Sequence, residues 1–290
     1  LADLVRPVGW LKVAYERDTL LEATVLDREL WSRHGRRFDL LDAAELHELE
    51  PALSPDIKAG LLLPANRAVR HPQRYVEGIA RTFLERGGEH LQAEAVDLAS
   101  DEGRVERIYT DRGRIELGPG DGLVIAAGAF SKYLARRAGA RVPLDAERGY
   151  HVMLPAPERG LSRPVYTIDH AFILAPMEHG LRLTGGVELA SPEAPPDYRR
   201  VRRLVPIARR VLPGLSDAIV SEWQGCRPSL PDSLPVIGKS PRRSNVWLAF
   251  GHQHIGLTLG PATGRIIADL VAGRDPGLDL TPYRPDRRFF

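Results

Sequence analysis

The sequence predicts a mixed α/β chain, in which the second half of a Rossmann-like domain is interleaved with an antiparallel-sheet domain. Three observations predict it. Residues 68–138 read helix, strand, hairpin, strand, helix, which is the order of the later part of a doubly wound α/β unit carrying a β-meander. From residue 142 the pattern changes to a run of short strands closed by Gly185-Gly186, an antiparallel-sheet signal. The stretch 223–273 then returns to an apolar strand that passes through glycine into a helix. The boundaries read from these changes are 1–67 (part of the sheet domain, with linking helices), 68–141 (Rossmann-like part), 142–224 (antiparallel sheet) and 225–290 (return to the Rossmann-like part).

Taken in order, residues 9–14 alternate as a strand. Residues 16–35 carry Leu20, Leu21, Thr24, Val25, Leu26, Leu30 and Trp31 at helical spacing, which predicts one helix. Asp42-Ala43-Ala44-Glu45 is a capping-box pattern that opens a short helix ending before Pro51. Pro72 suits the first turn of a helix whose expected buried face is Tyr75, Val76, Ile79, Ala80, Phe83 and Leu84, ending at Gly87-Gly88. A strand at 91–97, a hairpin across Asp111-Arg112-Gly113 and an apolar strand at 123–127 lead through Gly128 into a helix at 130–138. Strands are expected at 150–154, 165–168, 172–176, 181–184 and 221–224, with a helix at 196–211. The last strand, 246–250, breaks at Gly251-His252 before a helix that starts near Leu257 or Thr258 and runs to Val271.

Composition sets bounds on function. A 290-residue chain with 43% hydrophobic and 27% charged residues can bury a sizeable core. A net charge of +2 gives no reason to invoke nucleic acid. The cations are mostly arginine, with lysine at Lys12, Lys58, Lys132 and Lys239, and the clusters at 199–203, 209–210 and 287–288 read as solvated surface. A single cysteine, Cys226, excludes an internal disulfide and suits a reducing compartment, hence a cytoplasmic location. No apolar run reaches the roughly 18 residues of a membrane span. The basic face of the 196–211 helix admits peripheral contact with the inner face of the plasma membrane, or with an electron carrier. Nothing in the residue pattern assigns an oligomeric state.

The block 223–273, WQGCRPSLPDSLPVIGKSPRRSNVWLAFGHQHIGLTLGPATGRIIADLVAG, together with GLVIAAGAF at 122–130 and ERGYHVML at 147–154, carries a family resemblance. The chain resembles the C-terminal part of the FAD-dependent amino-acid oxidoreductases of the D-amino-acid oxidase and glycine oxidase type, with bacterial D-amino-acid dehydrogenases nearest in appearance. That family opens with Gly-x-Gly-x-x-Gly in a βαβ unit. No such motif occurs here and the chain opens at Leu1, so the sequence reads as a fragment lacking its N-terminal nucleotide-binding unit. The resemblance implies that 68–141 and 225–290 belong to the FAD-binding domain and that 142–224 is the substrate domain.

The resemblance and the residues together nominate a site. Arg227, held between Gly225-Cys226 and Pro228, presents a planar fork of donors suited to a carboxylate, and in the family the arginine of this setting binds the substrate carboxylate. Tyr150 and His151 are expected in the sheet that roofs the substrate, the tyrosine hydroxyl holding the carboxylate and the histidine tuning the amine. Val96, Ala127, Gly128, Ala129 and Gly225 are implied cofactor neighbours, since small residues let a backbone approach a dinucleotide. Gly251, His252, Gly256, Leu257 and Thr258 would aim a helix N-terminus at the edge of the flavin ring that gathers negative charge on reduction. His71 resembles a position near the ring. Asp232 and Glu188 are candidates to orient Arg227. His252 and His254 lack a third residue at metal spacing, so no metal is expected.

The implied function is FAD-dependent oxidation of the CH–NH bond of a D-amino acid, a small-molecule substrate, with hydride passing from Cα to flavin N5 and water converting the imino acid to a 2-oxo acid. The alternatives are oxidation of a secondary amine such as sarcosine, glycine or a D-proline derivative, or a non-catalytic remnant that binds no FAD.

Overall fold

The computed structural model describes residues 1–289. The chain divides into two compact units: residues 1–88, 149–187 and 195–225 form the first, and 89–148, 188–194 and 226–290 the second. The strands Asp145–Leu154 and Ser221–Ser229 cross the division. The sequence boundary at 67/68 therefore moves to 88/89. The helix Pro72–Glu85 groups with the first unit because its Arg74 pairs with Glu178 and its Gly78 lies against the Leu1 side chain.

The first unit is built on a sheet in the spatial order Asp145–Leu154, Gly180–Gly185, Phe172–Met177, Val165–Thr167, Trp10–Ala14, Ala59–Leu63, Asp39–Leu41, with Ser221–Ser229 also bonded to Asp145–Leu154. Neighbours are antiparallel except Val165–Thr167, which runs parallel to Trp10–Ala14. Strict alternation puts Val152, Leu154, Leu181, Leu183, Phe172, Leu174, Val165 and Leu11 on one face, fully buried under Val201, Val205, Ala208 and Val211 of the segment 199–211. On the opposite face the Trp10–Ala14 and Ala59–Leu63 strands are covered by Leu20 and Trp31. Its other strands present His151, Met153, Arg182, Thr184, Ile173 and Ala175, all only half-buried.

Two helices depart from their expected form. The helix predicted at 16–35 is two, Arg17–Ala23 and Val25–Arg33, broken where buried Thr24 turns its hydroxyl back onto the Leu20 carbonyl at 2.7 Å. The helix at 196–211 is likewise Arg199–Arg202 and Leu204–Val211, and much of its basic face is engaged: Arg199 pairs with Asp197, Arg202 with Glu222 and Arg209 with Asp217. The capping box at Asp42 is present, with Glu45 N–H on the Asp42 carboxylate at 2.9 Å and the reciprocal bond also 2.9 Å. The expected buried face of Pro72–Glu85 is a correction: Val76, Ile79, Phe83 and Leu84 are exposed, and no element of this unit covers them. No helix among the described residues is long and apolar enough to cross a membrane.

The second unit holds a parallel pair, Leu123–Ile125 beside Val246–Phe250, extended antiparallel by Val236–Lys239. A separate meander, Ala95–Asp101, Arg104–Thr110 and Gly113–Glu116, packs Leu98 and Val105 into the same core as Ile125, Val246, Leu248 and Phe250. Buried Asn245 joins the two sheets, accepting Val105 N–H at 2.9 Å and donating to the Val105 carbonyl at 2.9 Å and to that of Asp121 at 3.3 Å. Asn245→Ala strands the Val105 amide and carbonyl without partners, so it is expected to destabilise this unit by about 2–4 kcal/mol in urea unfolding. A loss under about 0.5 kcal/mol would contradict this role.

Candidate functional site

In the second unit the two parallel strands end on one edge, and each runs into glycine. Leu123–Ile125 gives way to Ala127 and the short 3-10 turn Gly128–Phe130, then to the helix Ser131–Arg137. Gly128 has φ +56, and a Cβ placed on it would point into open space. Val246–Phe250 gives way to Gly251, with φ +89, where a Cβ would lie 2.5 Å from Leu230 Cδ1. Beyond it the helix Gly256–Val271 begins at Ile255, which supplies no side-chain cap. The amides of Gly256, Leu257 and Thr258 thus face outward at the positive end of a helix of more than four turns. Openings after the carboxyl ends of parallel strands are where α/β sheets take their ligands.

Arg227 belongs to the same end of this unit. Gln253, itself at φ +48, donates its N–H to the Pro228 carbonyl at 3.0 Å and its side-chain amide to the Leu230 carbonyl at 3.2 Å, tying the 227–230 strand exit to the Gly251 turn. The Arg227 guanidinium is half-buried, and its Nη1 is enclosed with no hydrogen-bond partner. Desolvation pulls its pKa below the ordinary arginine value, and the charge of Glu147 acts in the opposite sense. Glu147 is therefore the acid that accompanies Arg227. The two expected from sequence are engaged elsewhere, Asp232 with Arg287 at 2.7 Å and Glu188 with Arg148 at 3.3 Å. His254 Nε2 reaches Glu147 at 3.4 Å. Burial lowers the His252 pKa, and its Nε2 lies 3.0 Å from Thr263 Oγ1.

The remaining candidates divide as follows. Val96 is exposed near the start of the Ala95–Asp101 strand, and Ala127 is exposed on the parallel-strand edge, with Gly128 and Ala129 half-buried beside it. In the first unit His151 lies on the open face of the sheet, stacked on Trp223 with ring centres 5.1 Å apart and an interplanar angle of 24°. Gly225 has the Trp223 ring where a Cβ would stand, at 2.0 Å, so glycine is required for this tryptophan to lie as it does. Tyr150 is buried. Alternation along its strand turns it to the core, its ring meets Tyr198 edge-on at 5.6 Å and its hydroxyl accepts the Asp197 N–H at 3.2 Å. His71 is the N-cap of Pro72–Glu85, its Nδ1 accepting Arg74 N–H at 3.2 Å. Sequence reading missed Glu147, Arg182 and Trp223. The period-two alternation of 150–154 and 181–184 was the signal that could have placed Arg182 and His151 together on the uncovered face.

The sequence matches the family described as FAD dependent oxidoreductase over residues 2–270. It is 35% identical over 251 residues to a D-amino-acid oxidase of Bradyrhizobium diazoefficiens, covering 85% of this chain and 59% of the relative. It is 32% identical to a D-amino acid dehydrogenase of Chromohalobacter salexigens (93% and 66% covered) and 28% identical to a glycine oxidase of Pseudomonas putida (96% and 74%). The chain thus spans less than two thirds of the length of the D-amino-acid oxidase and dehydrogenase relatives. Among solved structures, glycine oxidase from Geobacillus kaustophilus superposes with a TM-score of 0.87 at 25% identity, covering 99% of this chain and 76% of that one.

Two predictions follow from this geometry. Gly251→Ala forces a positive φ on an L side chain and drives Cβ into Leu230, so unfolding should show a loss of about 2–4 kcal/mol; a variant as stable as the parent would contradict it. Burial and the neighbouring Arg182 charge hold the His151 pKa down to about 4. In the unfolded chain it titrates near the ordinary value of about 6.5. Unfolding thus takes up a proton between those values, and stability attributable to His151 is full above about pH 6.5 and lost as pH falls toward 4. An NMR titration should place the ring midpoint near 4, whereas a midpoint near 6.5 would show that the ring is not enclosed. By its sequence, its fold and the architecture of this edge, the chain belongs to the DAO family of FAD-dependent oxidoreductases.

Proposed function

We propose that this protein oxidises the carbon–nitrogen bond of a D-amino acid with FAD as the two-electron acceptor. The observation that carries the reading is Arg227: a half-buried guanidinium with an enclosed, unpartnered Nη1, at the same end of its unit as an uncapped helix N-terminus. An enclosed cation lacking a hydrogen bond is costly unless an anion arrives to complete it. The substrate carboxylate is that anion, bound by the planar fork.

The residues present fit FAD. Gly128 leaves open space where a side chain would otherwise stand, and the amides of Gly256, Leu257 and Thr258 suit the ring edge that becomes negative on reduction. Ala127, Gly128, Ala129 and Val96 are assigned to the dinucleotide. When bound, FAD supplies the acceptor for the Cα hydrogen and its electron pair, while the nitrogen gives up a proton. The oxidised substrate is an imino acid, which water converts to a 2-oxo acid and ammonia. This chain's residues provide position and electrostatics. Arg227 fixes the carboxylate, the helix end stabilises developing negative charge, and burial of His252 disfavours its cationic form. No nucleophile or acid–base pair is required.

Glycine or a secondary amine such as sarcosine is the second reading, supported by similarity to a glycine oxidase. Arg200, Arg203 and Arg210, outside the ion pairs of segment 199–211, offer a basic face for an anionic membrane surface or an electron carrier in a cytoplasmic setting.

The test is anaerobic reduction of the FAD-reconstituted protein, read as bleaching of flavin absorbance by D-alanine or D-proline, and by sarcosine for the second reading. Arg227→Ala should lower kcat/KM by about 100-fold or more through loss of a charge-assisted pair, with Arg227→Lys intermediate. Unchanged kcat/KM in Arg227→Ala would overturn the role.

A further inference from the structure

At the amino ends of the parallel strands of the second unit, the edge opposite Gly128 and Gly251, lies a cavity of about 530 Å³. Five arginines line it, Arg136, Arg137, Arg141, Arg242 and Arg243, against a single acid, Asp286. Asp286 is bound to Arg284 at 2.7 Å, and Arg137 is paired with Asp97. The other four cavity arginines form no ion pair with a carboxylate among the described residues. The Arg243 Nε is enclosed without a hydrogen-bond partner, while its Nη1 donates to the Arg242 carbonyl at 3.3 Å. Arg136 and Arg137 close the helix Ser131–Arg137, whose dipole favours cations there. No helix end explains Arg141, Arg242 or Arg243, which lie on loops. These loops are held firmly. Buried Ser240 donates its hydroxyl to the Ala138 carbonyl at 2.6 Å and accepts the N–H groups of Arg242 at 3.2 Å and Arg243 at 3.1 Å. Gly139, at φ +87, lets Arg242 approach so closely that a Cβ would stand 2.5 Å from the Arg242 Cβ. A second cavity, of about 660 Å³, shares Arg136 and Arg141 with the first and adds Lys132 and an apolar wall of Tyr133, Val142, Pro143 and Phe289. Tyr133 is more than half exposed.

Guanidinium groups gathered around one cavity repel one another, and an anion held among them offsets that repulsion. An oligophosphate suits them, since it carries several charges and offers paired oxygens to the planar fork of each arginine. Both cavities have the size of small-molecule sites, whereas a bilayer meets a protein across a broad face. An exposed tyrosine beside the arginines supplies a surface on which a planar base stacks. We propose that the arginine cavity binds the oligophosphate group of a soluble ligand of the nucleoside triphosphate kind, with its base against Tyr133 and the adjoining apolar wall. This site lies away from the strand edge assigned to FAD and does not rest on the amino-acid substrate proposed above.

Calorimetric titration in the presence of saturating FAD tests it, since the cofactor's own phosphate contacts are then kept out of the readout. Inorganic tripolyphosphate should bind about 10-fold more tightly than orthophosphate, and ATP about 3- to 10-fold more tightly again. Arg141→Gln combined with Arg242→Gln, both at exposed positions, should weaken tripolyphosphate and ATP by about 10-fold or more through loss of charge-assisted bonds. Arg200→Gln combined with Arg210→Gln removes the same charge from the first unit and should change neither. Tyr133→Ala should abolish the advantage of ATP and leave tripolyphosphate within about 2-fold. Equal weakening by the two arginine double variants would reveal diffuse surface charge and overturn the site, as would tripolyphosphate that binds no more tightly than orthophosphate. Phosphatidylcholine vesicles with and without phosphatidylinositol bisphosphate form the lipid arm. Vesicle capture that depends on Arg141 and Arg242, with ATP no tighter than tripolyphosphate, would overturn the soluble ligand in favour of a lipid headgroup.

Discussion

The parallel pairing of Leu123–Ile125 with Val246–Phe250 is the constraint on which the second unit depends. It joins segments separated by more than a hundred residues, and parallel register sends both chains out at the same edge. Because each chain then turns through a glycine with positive φ, backbone rather than side chain lines that edge. The helix Gly256–Val271 follows the second of these turns, and its first amides have no side-chain cap. Gln253, strained at positive φ and bonded to Pro228 and Leu230, fixes the exit of Arg227 against the same turn. A shift of the parallel register by one residue would reverse the faces of the strand and misplace all of these groups.

Charge is distributed with a consistent logic. Arg148, Arg163 and Arg287 lie deep and each has a carboxylate; Arg199 and Arg202 lie at the surface and have theirs. Exposed pairs of this kind contribute little to stability. Arg182 and Arg227 differ in that burial lowers the pKa of each and neither forms an ion pair with a carboxylate. Residues that break a local rule of this sort mark function more reliably than residues that obey it.

Much of the fold was legible because it is written in short-range periodicity. Val246–Phe250, the capping box at Asp42 and the proline-initiated helix at Pro72 were all readable from neighbouring residues. What a local pattern lacks is knowledge of which face is covered. The apolar stripe of Pro72–Glu85 reads as core, yet Val76 and Phe83 are exposed. Tyr150 and His151 are adjacent in sequence and were read alike, but a strand sends them to opposite faces, one into the core and one onto the open side. Thr24 looked helical and instead broke the helix, through a hydroxyl contact that propensity does not encode. Glu147 went unnoticed as the companion of Arg227 because some eighty residues separate them; the acids nearer at hand were already paired.

The most direct test of the central claim is a crystal structure of the FAD-bound protein with a substrate-like carboxylate. The account predicts the carboxylate in bidentate contact with Arg227, and the amides of Gly256–Thr258 against the flavin ring edge. A carboxylate bound elsewhere, with Arg227 instead closed onto Glu147, would contradict it.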